Sequence, residues 1–328
     1  MFKRFGLTAA IAAAMTVSLS ATPAAGRPGP ARPLAPTVID LALSASEAVV
    51  TPGPTTTTQT FTLTNVSADN GTSNITFRYT SPIFVNIDTP LPSGPGIVSC
   101  AKRYSNPDRL VPEVLECTLS PLSAGASTTL TVTIDAPTGT PPTPKVASWG
   151  TASALPVPGG DTVTDPTDAI ITPGVNINGA PPAPTVDTSP ALYLRPPTGA
   201  VYADGTDGIL HFVAGNDKNA GTAHQPIRLV FSLPPYVRFK EVAFGSPMTC
   251  TTLFNDPTDP TVSEIEDCTI TPLLGLPPGA EQAVSVIITA SPGAPTGNVW
   301  SSAIDDTTGG ENNQNLNTDL FAPGIQII

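Results

Sequence analysis

His211 and His224 are the only histidines in this 328-residue chain. They are therefore the only side chains whose ordinary pKa suits proton transfer near neutral pH. A hydrolytic triad would place one of them beside a nucleophile and an acid, and Asp217, six residues after His211, is the nearest acid in sequence. The alternation around His211, Ile209-Leu-His-Phe-Val213, puts it instead on the solvent side of a strand, and His224 reads as a loop residue. The chain has no GxSxG elbow, HExxH helix, lysine-bearing phosphate loop or dinucleotide fingerprint. We expect no catalytic residue and no cofactor.

Oxygen-rich loops offer the remaining chemistry. Asp161, Asp165 and Asp168 cluster late in the first half, and the matching stretch of the second half carries Asp305, Asp306, Glu311 and Asp319 with Asn312 and Asn313. Calcium takes six to eight oxygen ligands, so Asp305, Asp306, Glu311 and Asp319 are candidate calcium ligands. Their spacing is not that of an EF-hand, and solvated loop carboxylates are the commoner arrangement. Asp256, Asp259, Glu264, Glu266 and Asp267 form a similar acidic run. Sugar binding would call for exposed aromatic faces, yet aromatics are 5% of the chain, and nothing in the sequence groups Tyr193, Tyr202 and Tyr236.

The elements that must position these residues come in two copies. Cys100, Cys117 and Trp149 are followed about 150 residues later by Cys250, Cys268 and Trp300. Cys117-Thr-Leu-Ser-Pro-Leu122 is answered by Cys268-Thr-Ile-Thr-Pro-Leu273, and Thr167-Asp168 with Pro173-Gly174 by Thr318-Asp319 with Pro323-Gly324. A repeat this long is a pair of domains and not a solenoid unit. Because each copy has its own cysteine pair, the expected disulfides are Cys100–Cys117 and Cys250–Cys268, each contributing roughly 3 kcal/mol by loop-closure entropy. Zinc is disfavoured by the lack of CxxC spacing and of histidine partners. Within each copy the hydrophobic period is two. Leu130, Val132 and Ile134 alternate with threonines, as do Phe61 and Leu63, and Val284, Val286 and Ile288 keep the same beat. About seven to nine short strands per copy, broken by Pro and Gly turns, fit a two-sheet sandwich, with Trp149 and Trp300 filling the cores.

The amino terminus reads as a secretory signal. Lys3 and Arg4 precede a short apolar run, Leu7 to Leu19, and small residues follow to Gly26. The run is too short to span a bilayer comfortably, and no second apolar stretch is longer. We expect a signal peptide at 1–25, a Pro-rich linker at 26–36, a first domain at 37–178, a Pro/Ala linker at 179–185 and a second domain at 186–328. Net charge is −12, or about −14 without Lys3 and Arg4, which disfavours nucleic acid and anionic membranes as partners.

The run Leu91-Pro-Ser-Gly, then Cys100, then Cys117-Thr-Leu-Ser-Pro-Leu-Ser-Ala-Gly-Ala followed by the alternating strand to Ile134, resembles the immunoglobulin-like conserved repeat modules of bacterial surface and secreted proteins. The second copy departs from it with Leu233-Pro-Pro and a longer turn before Gly279. The resemblance implies spacers, stalks or adhesive modules without a shared catalytic motif. The sequence reading is therefore an all-β chain of two tandem immunoglobulin-like β-sandwich domains. It is secreted or loosely surface-associated, non-enzymatic, and engages other envelope or extracellular proteins or glycans. A calcium- or glycan-dependent binding accessory protein is the alternative.

Overall fold

A computed structural model of the chain describes residues 36–137, 146–178, 189–271, 275–300, 302–307, 320–321 and 324–328. The expected signal peptide, the Pro-rich linker apart from Pro36, and the 179–185 linker lie outside the described residues. All regular elements among the described residues are strands. Residues Pro36–Ile328 form one compact unit.

Period-two sequence becomes one-sided burial. Along Ser127–Asp135, Leu130, Val132 and Ile134 are fully buried while the threonines between them face outward. Four principal sheets result, two from each copy. The first copy builds a four-stranded sheet around Thr57–Asn65 and Ser127–Asp135, and a five-stranded sheet in the order Ile170–Ile171, Thr151–Pro156, Ile75–Thr80, Val114–Leu119, Ile97–Tyr104. The second copy repeats that five-stranded order with Leu320–Phe321, Ser302–Thr307, Ile227–Leu233, Glu264–Ile270 and Met248–Phe254. Its other sheet has seven strands, centred on Gly208–Asn216 and Glu281–Ala290. No strand pairing among the described residues crosses between copies.

Each copy has its own apolar core between its two sheets. In the first, Phe61 of one sheet meets Phe77 and Tyr79 of the other at ring-centroid distances of 5.1 and 5.0 Å. In the second, Phe212 meets Phe231 at 5.0 Å. Such tilted aromatic pairs add about 0.5–1.5 kcal/mol to the burial of their area. The Tyr79 hydroxyl donates to Gln59 Oε1 at 2.9 Å, and the Gln59 amide donates to the Ser46 and Gly174 carbonyls, so the polar atoms in the first core are satisfied.

The expectation of two tandem immunoglobulin-like sandwiches is overturned. The chain is all-β, but its four principal sheets, with two smaller ones, lie inside one compact unit, a four-bladed propeller-like or half-barrel arrangement. Three features separate it from the expected pattern. Both disulfides, Cys100–Cys117 and Cys250–Cys268, staple neighbouring strands of one sheet, whereas the immunoglobulin bond ties one sheet to the other. Parallel pairs occur at Val38–Ile39 with Thr162–Val163, at Ala48–Val50 with Gly174–Ile177, and at Thr198–Val201 with Gly324–Ile327. Finally, the central strands of the two five-stranded sheets are buried on both faces, Ile75–Thr80 throughout and Ile227–Leu233 at every position but Arg228. Val230 and Ile304 of the second copy are fully buried and belong to the first copy's core cluster. The sequence pattern missed this because Thr76, Arg78 and Thr80 alternate with apolar residues as a solvent face would.

Candidate functional site

The seam between the two five-stranded sheets gathers most of the charged side chains that meet one another. Arg78, on the Ile75–Thr80 strand, donates from Nε to Glu116 Oε2 at 2.9 Å on the adjoining strand. Its two terminal nitrogens reach across the seam to Thr261 Oγ1 and to the Asp259 carboxylate. Arg103 bridges Glu116 and Asp256, at 3.2 and 3.1 Å. From the other side, Arg228 grips Asp267 of its own sheet with two bonds of 2.9 and 2.7 Å, and reaches across to Asp108 of the first copy.

The acids in these contacts come from equivalent positions of the two copies, although the arginines do not: Arg78 is in register with Glu116 and Arg228 with Thr269. Asp108 and Asp259 each stand nine residues before the second cysteine of their copy, and Glu116 and Asp267 each stand immediately before it. Each copy therefore sends the loop between its cysteines over the other's sheet, and delivers an acid to an arginine already paired at home. Tyr104 and Phe254, each four residues after the first cysteine, stack at 5.2 Å beside a bulge that recurs in both copies. Val114 and Ile265, again equivalent positions, share one small apolar cluster with Val111. Like surfaces meeting like surfaces is the geometry of an isologous dimer, realised here within one chain.

The second copy's loop owes its shape to a doubled Asp-Pro-Thr, whereas in the first copy's loop Asn106 Oδ1 accepts from the Asp108 N–H at 3.0 Å. Asp256 Oδ1 accepts from the Thr258 backbone N–H and hydroxyl, and Asp259 Oδ1 does the same with Thr261. Asp165 Oδ1 accepts the matching pair of bonds from Thr167. The Thr258 hydroxyl, against a smaller opposing effect of burial, holds the Asp256 carboxyl below its usual range. Asp161 is also structural: its carboxylate accepts from the backbone N–H of Thr37, Thr72 and Ser73 and from the Thr37 and Thr72 hydroxyls, at 2.6–3.0 Å. Burial alone would raise its pKa, but these donors outweigh burial and hold it well below the usual carboxylate range.

Two of the four calcium candidates, Asp305 and Asp306, lie among the described residues, on opposite faces of one strand. Asp305 is fully buried within the Ser302–Thr307 strand, in register with Leu229, and Asp306 is in register with Arg228 on the opposite face. Glu311 and Asp319 lie outside the described residues. No group of three or more acidic, histidine or cysteine side chains that could hold a metal occurs among the described residues. Glu264 accepts from the Phe239 N–H at 2.8 Å, and Glu266, read as part of an acidic run, is fully buried mid-strand.

His211 Nδ1 lies 2.7 Å from Ser285 Oγ on the exposed face of the seven-stranded sheet. Asp217 does not complete a triad, because its carboxylate accepts from the Asn219 N–H in a turn. His224 is exposed. The three tyrosines are dispersed: Tyr193 donates to Glu281, Tyr202 is exposed, and Tyr236 packs against both cores. Trp149 is only half-buried, its indole lying against Gly174. The side chain of Trp300 is outside the described residues.

No known family profile and no curated protein matches the chain, so the resemblance to conserved repeat modules is not upheld. Solved structures align along most of its length with little likeness. A Porphyromonas gingivalis W83 protein of unknown function is 13% identical, covering 87% of this chain and 99% of that one, with a TM-score of 0.25. The C-terminal domain of the Streptococcus agalactiae AgI/II polypeptide BspA is 11% identical, covering 89% and 100%, with a TM-score of 0.24. The C-terminal domain of the Streptococcus pyogenes antigen I/II-family protein AspA is 9% identical, covering 88% and 99%, also with a TM-score of 0.24. No helix among the described residues is long and apolar enough to cross a membrane.

Proposed function

We propose that this chain is an exported, non-enzymatic structural or adhesive module of the cell envelope or extracellular space. Its copies span 37–178 and 186–328 behind a 1–25 signal peptide. The observation that carries the reading is the reciprocal clamp. Two cross-linked sheets, each with an arginine held by acids from both copies, make a body suited to spacing or bearing load and not to opening around a substrate. A contact point is available at the turn after Val237–Val242, where Phe244 projects completely into solvent. A fully exposed aromatic ring carries a large apolar area that a partner's pocket can bury.

Pull-down of envelope proteins and glycans with the mature protein tests this. Retention that falls at least about tenfold in Phe244→Ser, with the melting temperature unchanged, supports an adhesive surface there, a loss equal to about 1.4 kcal/mol. Equal retention by both forms refutes Phe244 as the contact, and hydrolytic activity on any extracted component would overturn the non-enzymatic reading.

A further inference from the structure

The register of the two five-stranded sheets allows the copies to be compared position by position. Phe77 pairs with Cys117 on one side and Ala154 on the other, and Leu229 pairs with Cys268 and Asp305 in the same way. Tyr79 pairs with Leu115, and Phe231 with Glu266. The inward-facing, fully buried positions filled by Leu115 and Ala154 in the first copy are thus Glu266 and Asp305 in the second, also fully buried. Neither carboxyl has a hydrogen-bond partner among the described residues. Gln59, Asn65 and Asn216, also fully buried, are uncharged and hydrogen-bonded, so two unpartnered acids are a specific departure from the repeat.

We propose that Glu266 and Asp305 form an alkaline-sensitive latch: both are held neutral in the core of the second copy, and their ionisation loosens that copy while the first stays closed. Two unpaired charges in an apolar core are far costlier than two neutral carboxyls, so the closed fold retains the protons. Among the described residues no opposite charge faces either carboxyl. Around Glu266 stand Glu264 on its own strand, Phe231 and the Cys250–Cys268 bond beside it, and Thr252 opposite, whose hydroxyl favours the charge without forming a well-shaped bond. The charged groups of the facing Val237–Val242 strand are engaged elsewhere: Arg238 with the Val262 and Asp259 carbonyls, Lys240 with Asp207, while Glu241 is exposed and adds only negative charge. Around Asp305 stand Leu229, Asp306 on the opposite face with Arg228, and the Leu192–Leu194 strand, whose Tyr193 turns out to Glu281. Burial, with the Glu264 charge adding to it and Thr252 opposing, pushes Glu266 up to about 8. Burial, with Asp306 adding to it, moves Asp305 in the same direction.

A carboxyl whose pKa is raised by folding leaves the fold at full stability below its unfolded value, near 4.5 for Glu266, and weakens it as pH rises through about 8. Hydrogen exchange of the whole mature chain between pH 6 and 9, corrected for intrinsic rates, reads this out copy by copy. Peptides covering 227–233, 264–270 and 302–307 should open about tenfold or more as pH rises, while those covering 75–80, 114–119 and 151–156 should not. Glu266→Gln with Asp305→Asn should flatten the response. If that variant does not fold, Glu266→Leu and Asp305→Ala, which install the first copy's own residues, serve the same purpose. Parallel opening of both copies in the natural chain, or an unchanged pH response in a folded variant, overturns the proposal.

Discussion

Replacing Arg78 by Met keeps most of the side-chain volume in the seam but removes its charge and its donors. Arg78 is 9% exposed, and the side chains of its partners Glu116 and Asp259 are 21% and 15% exposed. Removing one partner of a buried ion pair costs about 3–5 kcal/mol, because the acids left behind are desolvated and unpaired. Here the loss is smaller: Glu116 keeps Arg103, and Asp259 keeps the two bonds from Thr261. We expect Arg78→Met to destabilise the chain by about 2–3 kcal/mol. Urea denaturation at pH 7, followed by intrinsic fluorescence, gives the difference. A double-mutant cycle with Asp259→Asn should return a coupling of about 1–2 kcal/mol. The exposed Arg195–Glu281 pair, with side chains 59% and 32% exposed, serves as a control; its coupling should stay below about 1 kcal/mol and fade in salt. An Arg78→Met variant within about 0.5 kcal/mol of the natural chain, the range of an ordinary surface change, would refute the clamp.

Asp161→Ala should cost about 2–4 kcal/mol, since it strips acceptors from donors on two segments of the first copy, Thr37 and Thr72–Ser73. Because folding lowers the Asp161 pKa, its stabilisation is complete above the ordinary carboxylate range and disappears as pH falls through the folded value. Acid titration of the melting temperature should therefore be shallower in Asp161→Ala, and an identical acid limb in both proteins would contradict the assignment. Calcium should leave the melting temperature unchanged at neutral pH, because Asp305 is buried and Asp306 faces away from it. A rise of several degrees that Asp305→Asn abolishes would instead support calcium binding at this strand.

Strand positions, the repeat and both cysteine pairs could be read from the sequence because each leaves a local mark. Period-two alternation marks Ser127–Asp135 and Glu281–Ala290, and duplication of the cysteines selects one pairing out of three. The stacking of four sheets left no such mark. Threonine and arginine on the outer face of Ile75–Thr80 look identical whether they meet water or a second sheet, and the decisive partners, Asp259 and Thr261, are far away in the chain. The acids misled for a related reason. Asp256, Asp259 and Asp165 sit in Asp-Pro-Thr segments, where the following threonine occupies the carboxylate, so their clustering reflects turn formation and not ligand collection. Glu266 and Asp305 were read among loop carboxylates although each lies within a strand. The signal that would have found them is alignment of the copies with each other, which sets Glu266 against Leu115 and Asp305 against Ala154.

In a true homodimer every substitution strikes both partners at once, so a harmful change is doubled and an asymmetric one is impossible. The Tyr104–Phe254 stack marks the pseudo-dyad of a molecule that keeps this geometry but escapes that rule. One side can keep leucine and alanine where the other carries Glu266 and Asp305, so ionisable groups enter the core once and not twice.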